Sequence, residues 1–489
     1  MKILFGLLIT FSFLTWGHAQ TTGDSVRIKG FHKDYAGYHL VFKTSENLYL
    51  QTPVDLASVY VDESGHFDFT LPLNKITYVY TDLGRTRAFM YLEPGTTYEL
   101  QLPPLIQRLK SERLNPFFRP DETIMGIINK DARTLNRHMV EFSYDFDYLF
   151  NKNAMRLALK GGEQIASAIE DSLTQKYTFK HPLFEQHKQL SFLKLWLAAQ
   201  PRQERQLINN YLKNQPVNYE LPAYREAFTL LFKNFLPDGL AEEIKDSVRK
   251  ELSYRERFDS LTNLIITDTI FGNNRELADL MLLYGLYQGL DENSIDENTV
   301  LSLTQSAIEY GSTEKVKQLA YRQYQQLTKL RPGTEAPDFV LFNENGKKRS
   351  LDNYKGKFVY LNFMHTQNYA CQRDLETLAQ LGKTFRKDLE IVTVLVDDDI
   401  DNALKYLNNK NYKWDFLNFK AQPKILEDYN IMATPAYYLI SPTGTLSLSP
   451  APSPEENFKS KFGEKLIQDK QQKLRNQKED NRRMNFFLQ

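Results

Sequence analysis

The chain has 489 residues, 61 basic and 61 acidic side chains, 42% hydrophobic residues and one cysteine. That length asks for roughly two to four domains, and the composition is that of a folded chain, not a disordered one. Balanced charge excludes any global attraction to nucleic acid or to an acidic surface, and a single cysteine excludes an intrachain disulfide.

The N-terminus comes first. Lys2 precedes an apolar run from Ile3 to Trp16 that ends in Gly17-His18-Ala19. A short charged start, an apolar middle and a small-residue end predict a secretory signal peptide over residues 1–19, cut between Ala19 and Gln20. The run is shorter than the ~20 apolar residues a membrane span needs. No cysteine follows the cut to carry a lipid, and no later segment is apolar enough to span. The expectation is an exported protein with no membrane span after signal removal. Disulfides form in such compartments, so chemistry at Cys371 would be monothiol or intermolecular.

Residues 24–105 predict a β-sandwich domain. Val26–Phe31, Tyr38–Lys43, Ser58–Val61, His66–Leu71, Thr77–Tyr80, Ala88–Leu92 and Tyr98–Leu102 are short and alternating or β-branched, with turn signals such as Glu93-Pro94-Gly95 between them. Pro103-Pro104 closes the set. Residues 120–330 predict an all-α region. Leu135, Met139, Phe142, Phe146 and Leu149 form one apolar face, as do Leu277, Leu280, Met281, Tyr284 and Tyr287. No fixed period marks a helical repeat.

Arg331-Pro332-Gly333 ends the helices, and residues 331–457 alternate strand and helix. Strands are expected at Phe358–Met364, Leu389–Val396 and Ala436–Ile440, with helices at Ala370–Phe385, Ile400–Asn408 and Lys424–Tyr429. A turn at Ser441-Pro442-Thr443-Gly444 leads into Thr445–Leu448, so the domain is α/β and ends in a hairpin. Residues 458–489 are polar and basic and predict a solvated, frayed terminal helix.

Several motifs of the α/β domain fall in a telling order. They are Gly333-Thr-Glu-Ala-Pro-Asp-Phe339, Asn345-Gly346-Lys347, Leu351-Asp-Asn-Tyr-Lys-Gly-Lys357, the apolar strand Phe358–Met364, Ala433-Thr434-Pro435-Ala436 and the Pro442-Thr443-Gly444 turn. Together they closely resemble the exported thioredoxin-like disulfide reductases of the TlpA/ResA type, within the AhpC/TSA–redoxin superfamily. The resemblance covers about the last third of the chain. The whole layout resembles multidomain thioredoxin-like proteins of Bacteroidetes, which implies the periplasm or cell envelope of a Gram-negative bacterium.

The resemblance implies a thioredoxin-like fold and a W-C-x-x-C motif at a helix N-terminus. There the helix dipole and backbone N–H groups lower the pKa of the first cysteine. Mapped onto this chain, the attacking cysteine is Asn368, the resolving cysteine is Cys371, the preceding tryptophan is Gln367 and the other usual tryptophan is Met364. An amide cannot attack a disulfide, but asparagine is among the best N-cap residues, so the helix can survive the loss. The P-x-x-x-T-x-x-C pattern of peroxiredoxins fails as well, because Asn368 stands where its threonine would be.

Pro435 fits the family's cis-proline, and Thr434 would present backbone groups to an extended partner. Gln367, Tyr369 and His365 complete the expected partner-binding surface. No histidine or carboxylate at helical or motif spacing supports His365, so a structural role is expected for it. Asn362 stands where many thioredoxins carry a buried acid, and it cannot move a proton. Asp397-Asp398-Asp399 reads as a solvated loop and helix cap, not a metal site. No phosphate loop, dinucleotide fingerprint, zinc motif or serine elbow is present, so neither a cofactor nor a metal is expected.

Two readings follow. One is a redox-inactive module that holds an extended protein or peptide segment, such as part of another envelope protein. The other is a monothiol oxidoreductase using Cys371 in envelope redox homeostasis. They part on whether Cys371 is an exposed, acidic thiol or a buried packing residue.

Overall fold

The computed structural model describes residues 25–487 except 46, 51, 116, 201, 202, 214, 255, 256, 293 and 411. The predicted signal segment 1–19 lies outside the described residues. The chain forms two compact units. One holds the chain up to Ile106 together with Pro120–Leu231, and the other holds Gln107–Arg119 together with the chain from Phe232 on.

In the first unit the strands are β1 (Ser25–Phe31), β2 (His39–Ser45), β3 (Pro53–Tyr60), β4 (His66–Pro72), β5 (Thr77–Leu83), β6 (Thr86–Leu92), β7 (Thr97–Gln101), β8 (Asp121–Ile124) and β9 (Gly126–Ile127). They make two sheets, ordered β4-β1-β7-β9 and β3-β2-β5-β6-β8. Val26 and Ile28 of β1 share one buried cluster with Phe42 of β2 and Met90 of β6. Between Val26 and Ile28, Arg27 points outward and pairs with Asp68 on β4, which is the period-two pattern of a half-buried strand. β8 and β9 lie in the stretch expected to be helical. They are too short for an alternation to register in the sequence, and pairing decides them, with Thr86 of β6 opposite Asp121 in parallel.

Helices follow, beginning with Thr134–Leu157. Leu135, Met139, Phe142 and Phe146 form its buried stripe, and the Phe142 ring meets those of Tyr177, Phe184 and Phe192. In the second unit further helices run from Glu242–Tyr254 to Glu314–Thr328.

The α/β domain of the second unit carries β10 (Leu341–Asn343), β11 (Lys348–Arg349), β12 (Phe358–Met364), β13 (Leu389–Leu395), β14 (Asp415–Asn418), β15 (Ala436–Ile440) and β16 (Leu446–Leu448). Their order is β11-β10-β14-β13-β12-β15-β16. β12 runs parallel to β13 and antiparallel to β15. Every β12 residue is buried because both faces are covered. Tyr360 and Met364 pack with Cys371, Leu375 and Leu378 of the helix Tyr369–Thr384. Val359, Leu361 and Phe363 pack on the other face with Phe339, Tyr429 and Tyr438. That two-sided burial explains the unbroken apolar run. Gly444 closes the turn into β16 with φ +95°, a conformation that glycine adopts without strain.

The C-terminal tail departs from expectation. A helix does span Phe458–Phe487, but its start is core rather than solvated. Phe458 and Phe462 are fully buried. Phe458 stacks on Tyr360 at 3.8 Å between ring centroids, and Phe462 meets Phe358 edge-on at 5.4 Å. Phe458, Phe462 and the partly buried Leu466 fall at helical spacing, a signal that the surrounding lysines obscure.

Replacing Phe462 with alanine is expected to cost about 3–5 kcal/mol in urea unfolding, as for a buried ring. Ile467→Ala, at a position 58% exposed, is expected to cost less than about 0.5 kcal/mol. Equal costs would mean the helix start is not docked.

Candidate functional site

The site is the turn between β12 and the helix Tyr369–Thr384, residues 365–368, together with the loop that precedes β15. A carboxylate from the neighbouring strand anchors the turn. Asp397 follows β13, is 3% exposed, and accepts the Thr366 N–H at 2.9 and 3.1 Å. The Thr366 hydroxyl donates to it at 2.5 Å. The parallel register, Met364 opposite Leu395, puts Asp397 there.

Two expectations change as a result. Within Asp397–Asp399, Asp398 and Asp399 are exposed as expected, and only Asp397 departs from the solvated-loop reading. Asp399 accepts the Asn402 N–H at 3.1 Å and caps the helix Ile400–Asn408, while Asp397 is structural and buried. His365 also has a carboxylate beside it, with Nδ1 3.4 Å from Asp397. The same Nδ1 accepts the Gln367 N–H at 3.2 Å, so two partners compete for it. Sequence spacing could not find this pair, because strand pairing brings its members together.

Asn368 sits at the helix N-cap with φ −84°. Its Oδ1 accepts the Ala370 N–H at 2.9 Å. Its Nδ2 donates to the Thr434 carbonyl at 2.9 Å. One side chain therefore caps the helix and clasps the loop, each bond worth about 1 kcal/mol. The Thr434–Pro435 peptide is cis.

Cys371 is fully buried and lies in the cluster of Met364, Leu375 and Tyr437. Burial pushes its thiol pKa up, against smaller opposing contributions from the His365 backbone and the Thr434 side chain. One turn on, Asp374 is 1% exposed and accepts the Tyr437 hydroxyl at 2.5 Å. Its Oδ1 makes no hydrogen bond in the described structure and lies 3.7 Å from Arg373 Nε. Burial, with Asp374 as a lesser cause, pushes the Tyr437 phenol far above its usual range. Sequence reasoning missed Asp374. The available signal was an acid on the same helix face as Cys371, Leu375 and Leu378.

Asn362 is fully buried and committed to structure. Its Oδ1 accepts the Thr393 hydroxyl at 2.7 Å, and its Nδ2 donates to the Val392 and Tyr360 carbonyls at 3.1 and 3.3 Å. Trp414 Nε1 donates to the same Thr393 hydroxyl at 2.9 Å. Of the expected partner-facing residues, Tyr369 is 78% exposed and Gln367 is exposed, while His365, Asn368, Thr434 and Pro435 are half-buried. Met432, which the sequence reading did not single out, is 71% exposed beside them. Among the described residues, no group of three or more His, Cys, Asp or Glu side chains could hold a metal ion.

Residues 332–449 match the AhpC/TSA family. The thiol-disulfide oxidoreductase ResA of Bacillus thuringiensis (strain Al Hakam) is 34% identical over 118 residues, 24% of this chain and 67% of that protein. The chain belongs to the TlpA/ResA-like redoxin family. ResA of Bacillus subtilis (strain 168) is 32% identical over 114 residues, and the redoxin chain spans 63% of its length. The thioredoxin domain of a thiol-disulfide oxidoreductase from Bacteroides vulgatus is a further likeness, at 22% identity and a TM-score of 0.25 over 27% of this chain and 95% of that one. The C-terminal domain of this redoxin is thioredoxin-like, preceded by a strand-rich region and a helical middle.

Asn368→Ala removes both bonds of the clasp and is expected to cost about 1–2 kcal/mol in urea unfolding; no change would mean the clasp is idle. Iodoacetamide is expected to modify Cys371 at least about tenfold more slowly in the native protein than in urea at pH 8. The fold favours the protonated thiol. The stability this gives is therefore present below about pH 8.5, the free-thiol value, and is lost as pH rises through the raised folded pKa. Native alkylation as fast as in urea would contradict a buried thiol.

Proposed function

We propose that this redoxin has lost dithiol–disulfide exchange and works as an exported, cell-envelope module that holds an extended protein segment. The observation that carries the reading is Asn368 itself. The attacking position of the family must present a free thiolate at the helix N-terminus. Here it is an amide, and both its ends are engaged with Ala370 and Thr434.

The other thiol offers no replacement. Cys371 is fully buried with its pKa raised, which weighs against a monothiol enzyme. What persists is a surface around the loop. Tyr369 and Met432 are largely exposed, and an exposed aromatic and an exposed thioether each suit an apolar partner side chain. The Thr434 carbonyl keeps a second lone pair after its bond to Asn368, so an added strand can still pair with it. We read the two N-terminal sheets around their shared core as a β-sandwich.

Insulin disulfide reduction with dithiothreitol tests the lost exchange. The wild-type chain is expected to add nothing to the rate of dithiothreitol alone. Asn368→Cys, which places a thiol at the helix start, is expected to raise the rate at least about tenfold, since helix N-termini favour the thiolate. Wild-type turnover that Cys371→Ser abolishes would sink the reading. For binding, random peptides displayed on phage and selected on the full chain are expected to lose about tenfold in affinity with Tyr369→Ser. Affinity unchanged by that substitution would move the binding site elsewhere.

A further inference from the structure

The loop at residues 431–434 already has a neighbour from within the chain. Residues Gln107–Arg119 are flanked by pairing partners of the first unit, Ile106 bridged to Gly84 and β8 paired to β6. They nevertheless pack with the second unit. Leu114 lies against the buried cluster of Phe339, Tyr429, Ile431 and Tyr438. Leu114, Asn115 and Phe117 face Asp398, Met432 and Thr434 across a cleft of about 300 Å³.

The segment's local shape is held by its own bonds. Lys110–Leu114 is a single helical turn. The Glu112 carboxylate accepts the Leu109 N–H at 2.9 Å, and Asn115 Oδ1 accepts the Phe117 N–H at 2.9 Å. Its charge also suits the site. Arg108, Lys110, Arg113 and Arg119 stand against Glu112 alone, while the facing rim carries Asp398.

We propose that residues 107–119 are a built-in occupant of the cleft beside Ile431 and Thr434, leaving Met432 open, and that an external partner must displace them. The proposal rests on reading that loop as a chain-binding surface, and it deepens that reading in two ways. It implies a regulated site, because a tethered segment acts at an effective concentration of order millimolar for a short linker. It also names the kind of partner the site takes, a segment with basic residues and bulky apolar side chains like those of the cover.

Amide hydrogen exchange on the full chain tests the cover. Leu114→Asp puts a charge against the apolar cluster. It is expected to speed exchange of residues 431–434 at least tenfold while the amides of β12 stay protected. Phe117→Ser, which removes a ring at the cleft without touching the buried cluster, is expected to act in the same direction and serves if Leu114→Asp disturbs the core. Exchange at 431–434 unchanged in both variants would overturn the proposal.

A synthetic, labelled peptide of residues 107–119 is the probe for the site beneath. It is expected to bind the Leu114→Asp chain at least tenfold more tightly than wild type, and more weakly as salt rises. Equal binding to both chains would overturn the cover. Faster exchange at the loop with no peptide binding would leave the cover standing and sink the chain-binding reading instead.

Discussion

Two hydrogen bonds from one amide organise the functional end of the redoxin domain. Asn368 Oδ1 caps the helix at Ala370, and Nδ2 reaches the Thr434 carbonyl. A thiol at this position could do neither well, since sulfur is a weak donor and a weak acceptor. One side chain thus ties the start of the helix to the loop before β15. A second tie lies one turn deeper, where Asp374 accepts the Tyr437 hydroxyl of β15. Between the two ties Cys371 is shut inside the cluster of Met364, Leu375 and Tyr437.

The ties work because β12 is rigid. Each of its residues is buried on one face or the other, and its parallel partner β13 ends level with it. That register delivers the Asp397 carboxylate to Thr366. Burying a carboxylate is costly unless hydrogen bonds compensate, and here the Thr366 N–H and hydroxyl both donate. The turn that carries His365, Gln367 and Asn368 is therefore held from below. At its far end β12 is braced by Phe462 against Phe358, so the terminal helix belongs to the same core.

A thioredoxin-like fold kept without its dithiol illustrates why fold and function are argued separately. The backbone groups and exposed side chains around the loop before β15 do not depend on a cysteine thiol. A segment of the same chain resting against that loop makes chemical sense. Leu114 packs against the buried cluster that includes Ile431, which keeps its apolar side chain out of water.

The sequence by itself determined what local chemistry determines. The apolar run Phe358–Met364, the N-cap preference of Asn368, the alternation in β1 and the stripe through Phe142 depend on residue type and short spacing, and their elements are present. It also determined that residue 368 is an asparagine and that Cys371 is the single cysteine. Only the tertiary structure decided what depends on pairs distant along the chain. Strand register put Asp397 beside His365 and Thr366, and helix-on-sheet packing buried Cys371 and Asp374. Aromatic stacking drew Phe458 and Phe462 into the core despite the lysines around them. Sheet edges recruited β8 and β9 from residues with no strand pattern of their own. The physical reason is common to all four. Burial and hydrogen bonding act between neighbours in space, and a linear pattern records only those neighbours that are also close along the chain.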